Sequence, residues 1–247
     1  MTQFDLSADQ ITRIVGFLGY GRPSAPVWFI GMEEGLGKMS SQDAARNLHA
    51  RATFEKTMDL HEAHKQLWEE GCHIDIENKP PPTQVWRFMA KIMLARKGEK
   101  DWSNSKSAKN YVRFKLGRSN GETFLTELSP IPSSKAADKK WMTLFRTKDS
   151  DLEAKISQRE EELRTMKELG RSLYVCYGNS RPKAQAFAKL LNVEWRLIHP
   201  KICVSHDARC LLLPFFGQGQ MSHEVIESLL SLGLLRRSES VTADRFA

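Results

Sequence analysis

The sequence predicts an α/β fold in which helices cover both faces of a central, mostly parallel sheet of four strands. Short apolar runs alternate with helical patterns along the chain, and each run ends in glycine, proline or polar residues. The runs are nearly continuous and do not alternate strictly between apolar and polar residues. Continuous apolar runs are typical of strands that are buried on both faces. We therefore expect a three-layer α/β/α sandwich with these strands: residues 27–30, 123–128, 173–177 and 209–214.

Helical patterns separate the predicted strands. Residues 7–18 are amphipathic, with Ser7 as the expected N-cap and Gln10 completing a capping box. Residues 40–68 favour two helices, and residues 78–82 interrupt the pattern. The remaining elements are a core helix over 83–94, a charged and exposed helix over 150–169, helices after Pro182 and Ser222, and short strand candidates at 194–198 and 202–205.

Length and composition favour one domain over residues 1–235, followed by a polar tail at 236–247. No run of eighteen apolar residues exists, and the N-terminus lacks the pattern of a secretory signal. The four cysteines are far apart, which fits a reducing cytoplasm and argues against an iron–sulfur cluster. We expect a monomer without a membrane partner, a cofactor or a metal.

A basic segment over residues 91–118 holds nine lysines and arginines but only two acids, so it accounts for the whole net charge of +7. Three aromatic residues are interleaved with these cations. This pattern favours a polyanionic partner, and we expect DNA. A solubilising helical face is the alternative. The expected phosphate contacts are Lys106, Lys109, Arg113, Lys115 and Arg118.

Two adjacent carboxylates, Glu33 and Glu34, follow the first predicted strand and lie between Gly31 and Gly35. Ligands of parallel α/β sheets bind at the carboxyl ends of the strands, which makes these side chains catalytic candidates. Glycines beside them would let the backbone approach a ligand closely. The alternative is that both carboxylates are solvated loop residues.

The residues at three predicted strand ends resemble sequence motifs of the uracil-DNA glycosylase superfamily. Residues 31–35 (GMEEG) are similar to its first motif, with Glu33 at the position that activates water and Glu34 where proline is usual. Residues 124–130 resemble the strand whose terminal asparagine reads uracil, and Glu127 occupies that position. Residues 212–220 resemble the second motif, but Phe215, Phe216 and Gly217 replace its usual His-Pro-Ser.

The resemblance implies a base pocket formed by Gly31, Glu127 and Phe216. It also implies a loop that enters the duplex, with the DNA contacts Gln218, Gly219, Gln220 and Met221. Without the histidine, backbone amides of residues 216–219 or Gln218 would have to stabilise the leaving base. An ionised Glu127 only accepts hydrogen bonds, so it would suit the N4 amine of cytosine. A structural ion pair is the alternative for Glu127.

These expectations lead to a monofunctional DNA glycosylase that flips a pyrimidine from the duplex and hydrolyses its glycosidic bond. Excision of ordinary cytosine would damage the host genome. A modified cytosine, such as glucosylated hydroxymethylcytosine in phage DNA, is therefore favoured, with a role in phage defence. The alternatives are an inactive nucleic-acid-binding module and an unrelated α/β hydrolase. His61 and His64 have a metal-like spacing, but surface positions are the expected reading because no third ligand is nearby.

Overall fold

A computed structural model describes residues 6–35, 41–72, 83–132, 145, 149–170 and 172–235. The expected break at residues 78–82 and the polar tail at 236–247 lie outside these ranges. Within them, no helix is long and apolar enough to cross a membrane.

The described chain is an α/β fold with one mixed eight-stranded sheet. Its strands are β1 (Gly19–Gly21), β2 (Val27–Gly31), β3 (Thr57–Met58), β4 (Thr123–Glu127), β5 (Leu173–Tyr177), β6 (Arg196–His199), β7 (Ile202–Val204) and β8 (Cys210–Leu213). The helices are α1 (Ala8–Gly16), α2 (Ser41–Arg51), α3 (Leu60–Glu69), α4 (Gln84–Arg96), α5 (Ser105–Phe114), α6 (Leu152–Leu169), α7 (Arg181–Leu191) and α8 (His223–Ser231). Ser7 caps α1 and forms the expected capping box with Gln10.

The strand order is β3-β1-β4-β2-β5-β8-β7-β6. The four strands predicted from the apolar runs, β4, β2, β5 and β8, are mutually parallel and adjacent. The sheet is larger than predicted because β1 joins β4 antiparallel, β3 joins β1, and β7 and β6 extend the other edge. The short strand candidates at 194–198 and 202–205 are confirmed as β6 and β7.

Strands β1 and β3 were not predicted. The glycines of β1 indicate a turn when read from sequence, and β3 has only two residues. Both strands depend on pairing with segments that are far away in the sequence. At Gly21, where φ is +94°, a Cβ would lie 2.2 Å from the carbonyl oxygen of Thr123, so this strand approaches β4 too closely for a side chain.

Alternate residues of β2 enter two different cores. Val27 and Phe29 pack with side chains from α3, α4, α5 and α8. Trp28 and Ile30 pack instead with α6 and α7. Helices therefore cover both faces of the parallel strands, and every residue of β2 is buried. A third cluster joins α1, α2 and the start of α6.

Candidate functional site

The carboxyl ends of β2, β4 and β5 bring three residues together. Gly31 pairs in register with Glu127, and the hydroxyl of Tyr177 donates to Oε1 of Glu127 at 2.6 Å. A Cβ built on Gly31 would lie 1.8 Å from Oε2 of Glu127 and 2.3 Å from the Tyr177 hydroxyl. Position 31 therefore has to be glycine for the carboxyl group and the phenol to meet there.

Glu127 has one carboxyl oxygen with a partner and one without. Among the described residues, Oε2 is closed to solvent and has no hydrogen-bond partner. Burial raises the pKa of Glu127 to about 8, although the Tyr177 hydrogen bond opposes the shift. The side chain is therefore mostly protonated at neutral pH. This differs from the acceptor-only carboxylate that the sequence suggested, since a neutral carboxyl group also donates.

A buried arginine fixes the backbone beside Glu127. Arg159 on α6 is 3% exposed and donates to the carbonyl oxygens of Phe17, Glu127 and Leu128 at 2.7, 2.8 and 3.1 Å. Burial lowers the pKa of Arg159 to about 10, so the guanidinium stays charged at neutral pH. It tethers the end of β4 to the end of α1. The prediction that the 150–169 helix is an exposed charged helix is wrong at this residue.

The two adjacent acids have different environments. Glu33 is exposed at the end of β2. Glu34 is partly buried: its Oε1 lies 2.6 Å from the Arg51 guanidinium, and its Oε2 accepts from the Tyr20 hydroxyl at 2.9 Å. Burial is the largest influence on Glu34 and opposes its ionisation, but Arg51, His64 and the Tyr20 hydrogen bond together outweigh it and lower the pKa. Glu34 therefore belongs to a structural ion pair, whereas Glu33 stays accessible.

His64 lies beside this ion pair and is not the surface residue that the sequence suggested. It is 1% exposed, it packs against Trp86 and Tyr20, and neither ring nitrogen has a hydrogen-bond partner among the described residues. Burial lowers the pKa of His64 to about 4, so the ring is neutral. In the described part of the chain, no group of three metal-ligating side chains exists.

A cavity of about 40 Å³ separates Glu34 from Glu127. It has room for a few water molecules. Its lining includes both carboxyl groups and both buried arginines, together with aromatic side chains: Tyr20, Glu34, Arg51, Trp86, Glu127 and Arg159. The site thus combines one neutral acid, one ion-paired carboxylate and one exposed carboxylate at the same edge of the sheet.

The loop after β8 contains one predicted base-pocket residue and the predicted DNA contacts at 218–221. Phe216 is fully buried and stacks on Tyr177 with ring centroids 4.8 Å apart, so it positions that phenol rather than presenting a free face. Met221 is 3% exposed and belongs to the core, which does not suit an inserting side chain. Gln218, Gly219 and Gln220 form the exposed tip, and Gln218 has a φ of +55°.

The basic segment divides into structural and exposed cations. Lys91 is 8% exposed and contacts Nε2 of His223 at 2.6 Å, Lys97 pairs with Glu122, and Arg118 pairs with Asp59 at 3.1 Å. Among the described residues, the exposed members outside these pairs are Lys100, Lys106, Lys109, Arg113 and Lys115. Of the predicted phosphate contacts, Arg118 alone is tied to a described carboxylate.

Lys115 and Arg118 lie in the segment that enters β4 at Thr123, whereas Glu127 ends that strand. Four residue steps span about 13 Å. These two cations and the carboxyl cluster are therefore at opposite ends of β4, and the structure does not bring them together.

Sequence reasoning missed Tyr177, Arg51 and Arg159. Tyr177 ends β5 in the same way that Glu127 ends β4, so strand-end position was an available signal for it. Arg51 and Arg159 lie in helical patterns rich in charge and have no local signal that marks them as buried. Comparison of the chain with family models, curated proteins and solved structures finds no match.

Proposed function

We propose that this chain is a DNA glycosylase that hydrolyses the N-glycosidic bond of a flipped, modified pyrimidine. The observation that carries the proposal is the difference between two carboxyl groups at one sheet edge. Glu127 is kept neutral by burial with one oxygen unpartnered, while Glu33 is exposed nearby. Pairs of acids in contrasting environments are how enzymes divide hydrogen-bond donation from charge stabilisation at a glycosidic bond.

In this mechanism Glu33 accepts a proton from water as the water oxygen attacks the anomeric carbon of the sugar. The bond between that carbon and the base nitrogen breaks, and its electron pair leaves with the base. The negative charge of Glu33 also stabilises positive charge that develops on the sugar. Glu34 is held by Arg51 and Tyr20, so it supports the loop and does not take the proton.

Glu127 would read the base edge through a donor and an acceptor. Since Tyr177 donates to Oε1, the carboxyl proton is best placed on the unpartnered Oε2. A neutral carboxyl group of this kind complements the N3 acceptor and the N4 amine of a cytosine-type base. Excision of ordinary cytosine would damage the host, which favours a modified cytosine, such as the glucosylated base of some phage genomes, and a role in phage defence.

The resemblance of residues 31–35, 124–130 and 212–220 to the uracil-DNA glycosylase superfamily supports the same reading. The proposed fold is the three-layer arrangement of that superfamily, elaborated here by edge strands. The described parallel strands β4, β2, β5 and β8 are compatible with it. The missing histidine in the loop after β8 leaves the charge on the departing base to backbone amides of residues 216–219 or to Gln218.

The experiment is incubation of the purified protein with genomic DNAs that carry different modified pyrimidines, followed by assay for alkali-labile abasic sites. We expect breaks in DNA that contains a modified cytosine and none in unmodified DNA. Glu33→Gln is the matched control, because it changes one exposed side chain. Absence of abasic sites across the panel would reject the glycosylase proposal.

A second candidate is a glycosylase-like module that binds nucleic acid without cleaving it. The observation in its favour is the cavity of about 40 Å³, which is small for a base, beside a Glu34 carboxylate that Arg51 already neutralises. Tight binding to a modified DNA without base release would favour this candidate.

A further inference from the structure

A second cavity, of about 550 Å³, lies away from the carboxyl cluster. It is a groove between the end of α4, the end of α5 and the segment that enters β4. Its lining consists of Lys97, Tyr111, Phe114, Lys115, Arg118, Asn120, Gly121 and Glu122. We call it the α5 groove.

The α5 groove has an aromatic surface that the fold leaves open. Phe114 is 56% exposed, and the Arg113 guanidinium lies 5.0 Å from its ring centroid. Tyr111 lies one turn earlier on the same helix face, with the Lys97 ammonium 5.6 Å from its ring centroid. An exposed phenylalanine flanked by an arginine is a surface on which a nucleobase stacks, because every base presents a flat π-face.

The charge of the groove suits a phosphate backbone. Lys97, Lys115 and Arg118 outnumber the one lining acid, Glu122, and Arg113 adds a further exposed cation at the rim. Arg118 is held by Asp59, and Lys97 is held by Glu122, so the positions of these two cations are fixed in the unbound protein. Lys115 is exposed and makes no described ion pair, so it is available to a phosphate.

One residue that lines the groove, Tyr111, has an unsatisfied polar atom. Among the described residues, the Tyr111 hydroxyl is buried without a hydrogen-bond partner, and the residue itself is 5% exposed. Such a group is costly to leave unpaired in the native state. The hydroxyl itself is closed to solvent, so a ligand in the groove meets the exposed Phe114 ring and not this hydroxyl.

We propose that the α5 groove is a binding site for unpaired nucleotides of a single-stranded nucleic acid, separate from the carboxyl site at the other end of β4. Bases stack on Phe114 and Arg113, while Lys115 and its neighbours hold the phosphates. This site does not depend on the glycosylase chemistry, since no residue of the carboxyl cluster lines it. It would give the protein a preference for DNA with unpaired segments.

The test measures fluorescence anisotropy with three labelled probes of equal length, about 12 units, which is within the range of single-strand site sizes. The probes are an oligothymidylate, the same strand in a duplex, and a backbone of abasic units that keeps the phosphates. We expect the oligothymidylate to bind at least about 5-fold more tightly than the abasic backbone, because stacking contributes to affinity. An oligouridylate of the same length distinguishes RNA from DNA as the source of the strand.

Two variants separate stacking from charge. Phe114→Ala should reduce oligothymidylate affinity by about 5- to 100-fold and remove the advantage over the abasic backbone. Lys115→Gln should weaken both probes and lower the salt slope by about 0.7. The controls are Leu197→Ala, which removes another exposed apolar side chain, and Lys189→Gln, which removes an exposed lysine of α7.

Equal affinity for the oligothymidylate and the abasic backbone, or tighter binding to the duplex, would overturn the proposal. The same is true if Phe114→Ala has no more effect than Leu197→Ala. Lys189→Gln, on a helix that does not line the groove, should leave all these affinities unchanged. If the protein binds the oligothymidylate as expected but releases no base, the groove proposal is supported and the glycosylase proposal is rejected.

Discussion

The hydroxyl of Tyr177 donates to Oε1 of Glu127 at 2.6 Å, across the ends of two parallel strands that are separated in the sheet by β2. The contact is possible because Gly31 ends the intervening strand without a side chain. It leaves Oε2 of Glu127 buried and unpartnered. A carboxyl group in this position is stabilised in its neutral form, which determines how it can act on a ligand.

The first prediction concerns stability as a function of pH. Burial raises the pKa of Glu127 from 4.5 to about 8, so the folded state binds a proton that the unfolded state has released between these values. The contribution of Glu127 is fully present below about pH 4.5 and is lost as pH rises towards 8, with a slope of at most about 1.4 kcal/mol per pH unit. Urea unfolding across this interval should show a flatter profile for Glu127→Gln than for the wild type. Parallel profiles would mean that Glu127 ionises normally.

The second prediction concerns the space at Gly31. Gly31→Ala places a methyl group against Glu127 and Tyr177 and should destabilise the protein by about 1–3 kcal/mol. Gly35→Ala is the matched control, since no atom of the described residues lies within 4 Å of a Cβ at that position. Removing the carboxyl group in Gly31→Ala/Glu127→Ala should relieve the clash with Glu127 but not the one with the Tyr177 hydroxyl, so the two effects will not add. Additive losses in thermal or urea unfolding would show that the contact is not the cause.

The core of the sheet could be predicted from sequence because its strands are buried on both faces and form continuous apolar runs. Strand β1, which lies between β3 and β4, could not, since three residues with two glycines carry no apolar pattern and are held only by their partners. The same limit applies to the site. Glu33, Glu34 and Glu127 are recognisable as acids at strand ends, but which of them is ion-paired depends on Arg51, whose burial at the end of the following helix has no local sequence signal.

The third prediction separates the adjacent acids. Glu33→Gln should leave folding and DNA affinity nearly intact and reduce base release by about 10²–10⁴-fold, the usual contribution of acid–base catalysis. Glu34→Gln removes the carboxylate that neutralises Arg51, which is 4% exposed, and should cost about 1–3 kcal/mol of stability. Single-turnover kinetics and urea unfolding of both variants give the comparison. Full activity of Glu33→Gln would assign the chemistry to another group.

The fourth prediction concerns the exposed cations of α5. Replacement of Lys106, Lys109 and Arg113 by glutamine should weaken binding to all DNA sequences alike, because phosphate contacts carry no sequence information. The salt dependence should flatten by about one unit of slope for each lost contact. Arg181→Gln/Lys189→Gln is the control on another exposed helix. If the salt dependence of DNA binding does not change in the triple variant, these cations face solvent and the DNA-binding surface lies elsewhere.

The last prediction concerns how Glu127 reads a base. At about pH 7 its carboxyl group is mostly neutral, so Glu127→Gln keeps one donor and one acceptor and should retain most of the preference for a cytosine-type base. At about pH 9 the wild-type group is ionised and loses its donor, and its preference should then fall relative to Glu127→Gln by about 1–3 kcal/mol of discrimination. Glu127→Asn introduces the residue that reads uracil in the superfamily that residues 124–130 resemble, and it should raise uracil excision. The measurement is excision from matched oligonucleotides that contain uracil, cytosine or glucosylated hydroxymethylcytosine at both pH values. Ready release of uracil by the wild type, with no change in Glu127→Gln at either pH, would assign Glu127 to the structural contact with Tyr177 alone.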